Sequence, residues 1–201
     1  KYGGDRSNSL TQVWRRQKQF VDTSMAATEI KNDDINKRGR KMIRVGIIGA
    51  TGYAGGELVR ILLNHKDAKI VWYGSRSYID KKYYQVYQNM FQLVEDICKD
   101  DNLEELAKQV DVIFTATPQG FLAGLLTEEI LSQVKIVDLS ADYRIKDVAT
   151  YEKWYGIEHK SPQFIEEAVY GLCEINRDKI TEKTRLVANP CLLYTSPSPR
   201  D

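Results

Sequence analysis

The stretch Ile43–Leu62, IRVGIIGATGYAGGELVRIL, joins two hydrophobic periods through a run of glycines. Ile43–Ile48 is a short apolar run with β-branched residues, closed by Gly49, and reads as a buried strand. From Tyr53 to His65, Ala54, Leu58 and Leu62, with Val59 and Leu63 beside them, recur at the i, i+4 spacing of an amphipathic helix. Between them lies Gly49-Ala50-Thr51-Gly52-Tyr53-Ala54-Gly55-Gly56. Gly49 and Gly52 permit a tight turn and close backbone approach, and Gly55 lets the helix pack on the strand. The N–H groups at the helix start then face a pyrophosphate, helped by the helix dipole. A glycine turn that only packs is the competing reading, whereas a P-loop is excluded because no Lys-Ser or Lys-Thr closes the motif.

Outward from this unit the same alternation continues. Lys69–Tyr73 reads as a second strand, Leu103–Val110 as a helix capped by Asn102 with Glu105 in capping-box position, and Asp111–Thr115 as a further strand. A helix from about Phe121 to Ser132 precedes a strand at Lys135–Leu139, and Arg185–Ala188 reads as one more. Residues 78–99 are rich in aromatics and carry no clear period. Near-continuous apolar strands alternating with helices predict a doubly wound, Rossmann-type parallel α/β sheet. The expected division is a dinucleotide-binding domain over 42–150. Residues 151–190 then lead toward a second α/β substrate domain whose start is truncated.

Among 201 residues, 42% are hydrophobic and 28% charged, an ordinary globular balance, and no apolar run is long enough for a membrane-spanning helix. Residues 1–41 are net basic and aperiodic, and Met42 precedes the first strand, so 1–41 is expected to be a disordered or non-coding extension. Residues 191–201, CLLYTSPSPRD, resemble the translation of a transposase adapter used in sequencing libraries and are set aside from fold reasoning. The remaining body is mildly acidic and gives no electrostatic reason to bind nucleic acid. Three widely spaced cysteines form neither a metal pattern nor a disulfide framework, which points to a reducing, cytoplasmic setting.

The second strand ends in Gly74-Ser75-Arg76-Ser77. An NAD site usually places an acidic residue there, whereas the hydroxyl of Ser75 and the forked donors of Arg76 suit a 2′-phosphate. NADP(H) is therefore the expected cofactor, with Arg76 as a merely solvated loop charge the alternative.

Five blocks give the body a family resemblance: Val45–Leu58 (VGIIGATGYAGGEL), Ser75-Arg76-Ser77, Asp138–Ile145 (DLSADYRI), Val169–Arg177 (VYGLCEINR) and Val187-Ala188-Asn189-Pro190. Together they resemble the N-acetyl-γ-glutamyl-phosphate reductases of arginine biosynthesis. The resemblance implies attack of a cysteine thiolate on an acyl phosphate, loss of phosphate, and reduction of the thioester to an aldehyde by hydride from NADPH. It also implies a small-molecule acyl phosphate substrate and a homo-oligomeric parent protein. Cofactor contacts fall to Gly49, Thr51, Gly52, Tyr53, Ala54, Gly55, Ser75 and Arg76, with Thr117 and Pro118 beside the nicotinamide. Gln119 stands where the family often has histidine. Ser140, Asp142, Arg144, Glu174 and Arg177 are candidates at the substrate end. For Arg144, a bidentate anion grip competes with an Asp142–Arg144 structural pair, and Glu174 and Arg177 carry a structural reading nearly as good.

The departure comes after Pro190, where the family continues with glycine and then the nucleophilic cysteine. Here Cys191 holds the glycine position and Leu192 the cysteine position, so Cys191 is out of register and no catalytic residue is assigned. His65 reads as a surface charge closing the first helix, His159 as a member of a polar loop, and Cys98 and Cys173 as inert. The chain as given is expected to bind NADPH weakly or not at all and to show no turnover. An aspartate-semialdehyde dehydrogenase-like enzyme and a non-catalytic nucleotide-binding module are the alternatives. A short-chain reductase pair at Tyr78 and Lys82 falls too early in the chain.

Overall fold

The computed structural model describes residues 41–190 and Asp22; the expectations for the rest of 1–41 and for 191–201 lie outside the described residues. Each strand alternates apolar side chains to two opposite faces, so both faces of one sheet must be covered. In β1 (Ile43–Ile48), Val45 and Ile47 enter one core and Ile48 the other. In β4 (Val112–Thr115), Val112 and Phe114 divide from Ile113 in the same way, as Val137 divides from Ile136 in β5 (Lys135–Asp138). The first core is closed by Leu58, Val59 and Leu62 of α1 (Tyr53–Leu62). The second is closed by Leu103 and Leu106 of α3 (Leu103–Gln109) and by Ile130 and Leu131 of α4 (Glu128–Gln133).

The other strands are β2 (Ala68–Gly74), β3 (Cys98–Lys99), β6 (Val169–Tyr170) and β7 (Leu186–Ala188). All seven pair in parallel in the order β3-β2-β1-β4-β5-β7-β6. The doubly wound parallel sheet is therefore as expected. The order reverses between β1 and β4, which opens a crevice at the carboxyl ends of those strands, where such folds bind ligands. No helix among the described residues is long and apolar enough to cross a membrane.

Three expectations change. The helix foreseen over Phe121–Ser132 is confined to α4, because Thr127 is extended and its hydroxyl accepts the Ile130 N–H as a new N-cap. Ahead of it, Gly120 has a φ of +81, and the Asp142 carboxylate takes the N–H groups of Gly120 and Ala123. Leu122 and Leu126 are buried all the same, so their i, i+4 spacing is met by single turns. The first helix stops at Leu62, and the His65 N–H donates to Leu62 O in a closing turn. His65 is not a surface charge: its side chain is only 14% exposed, its Nδ1 accepts the Asp67 N–H, and its Nε2 lies 3.3 Å from Asp22. Residues 78–99, unreadable by period, form α2 (Tyr83–Val86), a short 3-10 turn and β3, and fold back beneath the glycine loop. The remaining helices are α5 (Val148–Tyr155) and α6 (Cys173–Asn176).

Candidate functional site

The glycine loop is built by backbone contacts that side chains would forbid. Gly49 has a φ of +75, and a Cβ there would fall 2.4 Å from Ala116 O. A Cβ on Gly55 would fall 2.1 Å from Gly49 O, so α1 rests directly on the turn. The Ala50 N–H donates to Gly74 O and the Gly52 N–H to Gly49 O, which closes the turn against β2. The N–H groups of Thr51, Tyr53 and Ala54 make no hydrogen bond among the described residues. A cradle that a Cβ would fill, lined with free donors at a helix start, fits a dinucleotide pyrophosphate. The Tyr53 side chain is 98% exposed over it.

Ser75 is buried at the end of β2, and its Oγ lies 2.8 Å from Thr51 Oγ1 while accepting the Tyr78 N–H. It thereby ties the loop after β2 to the glycine turn. Arg76 extends outward. Its Nε donates to Asp101 Oδ2 at 3.2 Å, and its guanidinium lies 4.5 Å from the centroid of Phe121. Burial pushes the Asp101 carboxyl up, against the lowering effects of Arg76 and of the Gly49 backbone N–H. Thr117 and Pro118 follow β4 across the crevice, and Thr117 Oγ1 is buried without a partner among the described residues.

At the carboxyl end of β5 the polar residues form a buried network. Asp138, fully buried, accepts hydrogen bonds from the hydroxyls of Thr115 and Ser140, both at 2.7 Å, and from the Ser140 N–H. Burial pushes its carboxyl up to about 6, in spite of these donors. Asp142 accepts the Gly120 N–H at 2.6 Å and the Tyr151 hydroxyl at 2.9 Å on one oxygen, and the Ala123 N–H at 3.0 Å on the other. The Asp142–Arg144 pair does not form. Arg144 instead donates through Nε and Nη2 to the carbonyls of Asn189 and Leu139, both at 2.7 Å, because Asp142 points into the core and those two carbonyls flank the guanidinium.

His159 is buried rather than in an open polar loop. Its Nδ1 accepts the Ser161 N–H and its Nε2 donates to Asp142 O, between the rings of Tyr143 and Tyr151. Both ring nitrogens are thus committed to the backbone. Glu174 and Arg177 are exposed on α6 and the turn after it, beyond β6, at the far edge of the sheet from the glycine loop. The structure therefore brings Gly49–Gly55, Ser75, Arg76, Thr117 and Pro118 to one crevice, and leaves Glu174 and Arg177 apart from it. Sequence reasoning missed Tyr83, Tyr87, Asp101 and Phe121. Asp101 follows a two-residue strand that has no period, and the two tyrosines lie in the segment without one.

Cys98 and Cys173 are buried thiols outside any disulfide, burial pushing the Cys98 thiol up. Among the described residues no group of three or more His, Cys, Asp or Glu is placed to hold a metal.

Residues 44–183 match the family model described as semialdehyde dehydrogenase, NAD binding domain. A Lachnoclostridium phytofermentans protein named N-acetyl-gamma-glutamyl-phosphate reductase is 73% identical over 149 residues, which are 74% of this chain and 43% of that protein. A Lachnospira eligens protein of the same name is 69% identical over 156 residues, 77% of this chain and 45% of that protein. The chain thus spans less than half the length of the curated relatives it matches. Among solved structures, aspartate semialdehyde dehydrogenase II complexed with ASA, from Vibrio cholerae, superposes with a TM-score of 0.50 at 16% identity, over 75% of this chain and 42% of that one, a likeness of fold. With its glycine cradle, switch-point crevice and matched span, the chain belongs to the semialdehyde dehydrogenase family, of which it carries the NAD-binding domain.

Proposed function

We propose that the chain is the NADP-binding part of a reductase that converts N-acetyl-γ-glutamyl phosphate to the corresponding semialdehyde. The observation that carries this reading is the glycine cradle joined through Ser75 to Arg76, in a chain 73% identical to a protein of that name. Residues 42–150 hold the cofactor site, and 151–190, which add β6 and β7 to the same sheet, lead toward the substrate domain. The bound cofactor supplies hydride. The N–H groups of Thr51, Tyr53 and Ala54 hold its pyrophosphate, Arg76 grips the 2′-phosphate, and Thr117 and Pro118 border the nicotinamide end. Ser140, Asp142 and Arg144 shape the substrate side of the crevice from beneath, whereas Glu174 and Arg177, apart from it at the far edge of the sheet, belong to the approach to the next domain. No catalytic residue is assigned, since Cys191 is out of register with the family's nucleophile, and the 201-residue chain turns nothing over. The parent is a cytoplasmic homo-oligomer acting on a small molecule and not on nucleic acid.

The test is titration of the chain with NADPH and NADH, followed by quenching of tryptophan fluorescence. NADPH is expected to bind at least about tenfold more tightly, and Arg76→Ala to abolish the difference, as one charged hydrogen-bonded contact contributes about 1.5–3 kcal/mol. Equal affinities in the unmodified chain overturn the NADP assignment. Phosphate-dependent aldehyde oxidation by this chain overturns the statement that it is inactive.

A further inference from the structure

Three consecutive carbonyls of the glycine loop are taken by phenols from the segment after β2. The Tyr83 hydroxyl donates to Ala50 O at 3.0 Å. The Tyr87 hydroxyl is shared between Thr51 O at 3.2 Å and Gly52 O at 3.0 Å. The two rings pack in a row with Tyr73, at centroid separations of 5.0 and 5.4 Å. Tyr83 is wholly buried, so its hydroxyl has a fixed direction.

The geometry points to Tyr83 and Tyr87 as positioning residues that aim the loop's donors at the cofactor pyrophosphate. A trans peptide sets the carbonyl of one residue opposite the N–H of the next, and the described residues contain no cis bond. Holding the carbonyls of Ala50, Thr51 and Gly52 toward the tyrosines therefore turns the N–H groups of Thr51, Gly52 and Tyr53 to the other side. Gly52 spends its donor on Gly49 O; Thr51 and Tyr53 keep theirs for an anion. Without the phenols, the carbonyls of Ala50 and Thr51 are free to rotate outward and present partial negative charge to a phosphate, while Gly52 O keeps only the Gly56 N–H.

The same contact explains Gly56, to which neither the turn nor the helix–strand approach assigns a role. A Cβ there would lie 2.9 Å from both Cζ and the hydroxyl oxygen of Tyr87. Glycine at this position leaves room for the ring that braces the loop.

This inference rests on the cofactor reading above and is tested so that the two fail separately. In the full chain, Tyr87→Phe removes one oxygen and keeps the ring. NADPH affinity is expected to fall about three- to tenfold, the worth of one hydrogen bond. Affinity for adenosine 2′-monophosphate, which has no pyrophosphate, stays unchanged, as does the NADPH-to-NADH ratio. Without ligand, amide hydrogen exchange at Gly52 and Gly56 rises by a similar factor, since their N–H groups close the loop on itself. Tyr83→Phe behaves alike. Unchanged exchange and unchanged NADPH affinity overturn the bracing role. An equal loss for adenosine 2′-monophosphate also overturns it, because general loosening is then sufficient. An unsubstituted chain that binds NADH as tightly as NADPH defeats the cofactor reading, while the exchange rates still decide the brace.

Discussion

Replacing Asp142 by alanine should unfold the carboxyl edge of the sheet more than any neighbouring substitution. The carboxylate is fully buried and receives three donors: the N–H groups of Gly120 and Ala123 and the hydroxyl of Tyr151. Gly120 is half-buried, and water can replace what it loses. Ala123 is 2% exposed and Tyr151 0%, so their donors stay without partners. At about 1–3 kcal/mol for each orphaned buried donor, the loss is about 2–6 kcal/mol. That is a large fraction of the ~5–15 kcal/mol holding a typical domain. Asp142→Asn should lose less, as one acceptor oxygen remains while an NH2 group now meets a donor. Urea unfolding followed by circular dichroism is the assay. With a slope of about 2 kcal/mol per molar urea, the midpoint of Asp142→Ala should drop by roughly 1–3 M with the slope unchanged. A drop worth less than about 1 kcal/mol refutes the reasoning, since the turns at 120–126 would then hold without their carboxylate.

Other outcomes follow from the same geometry. Gly55→Ala puts a methyl 2.1 Å from Gly49 O, a backbone atom that cannot rotate away; the overpacking cost of about 1–3 kcal/mol or more outweighs the ~1 kcal/mol helix-propensity gain. Gly52→Ala, with its Cβ at 3.4 Å from the same oxygen, should be close to neutral, and equal urea midpoints for the two variants would contradict the packing account. Asp138, raised from 3.8 to about 6 in the folded chain, keeps its proton longer than in the unfolded chain. Its contribution to stability is therefore full below about pH 4 and is lost as pH rises through about 6. Asp138→Asn should flatten that part of the stability–pH curve, and an unchanged slope would place the titration elsewhere.

Strands β1, β2, β4, β5 and β7 and the glycine turn were legible because they are local, β1, the turn and α1 being written within twenty residues, whereas the two-residue strands β3 and β6 are too short to carry a period. The Asn102 cap was legible for the same reason, its side chain accepting the Glu105 N–H as the spacing foretold. The segment 121–126 misled because Leu122 and Leu126 have helical spacing, while the acceptor that breaks the helix, Asp142, lies some twenty residues on. His159 misled likewise, its polar sequence neighbours giving no hint of the two tyrosine rings that enclose it. The tyrosine brace was invisible because Tyr83 and Tyr87 reach more than thirty residues back, through hydroxyl-to-carbonyl bonds that leave no hydrophobic period.

The place of β7 in the sheet bears on how the chain is made. Latest of the seven in sequence, it lies between β5 and β6, and among the described residues β6 has no other strand beside it. On a ribosome, β1 through β5 can associate as soon as Asp138 has emerged, in the contiguous order β3-β2-β1-β4-β5. Roughly fifty more residues must then be added before β7 arrives, a wait of about 3–10 s at ordinary elongation rates. Throughout that interval the outer edge of β5 carries unpaired N–H and carbonyl groups, open to any extended peptide nearby. Strand order thus assigns the nascent chain one exposed edge at one known stage of synthesis, and that edge is where a chaperone would be needed or an aggregate would begin.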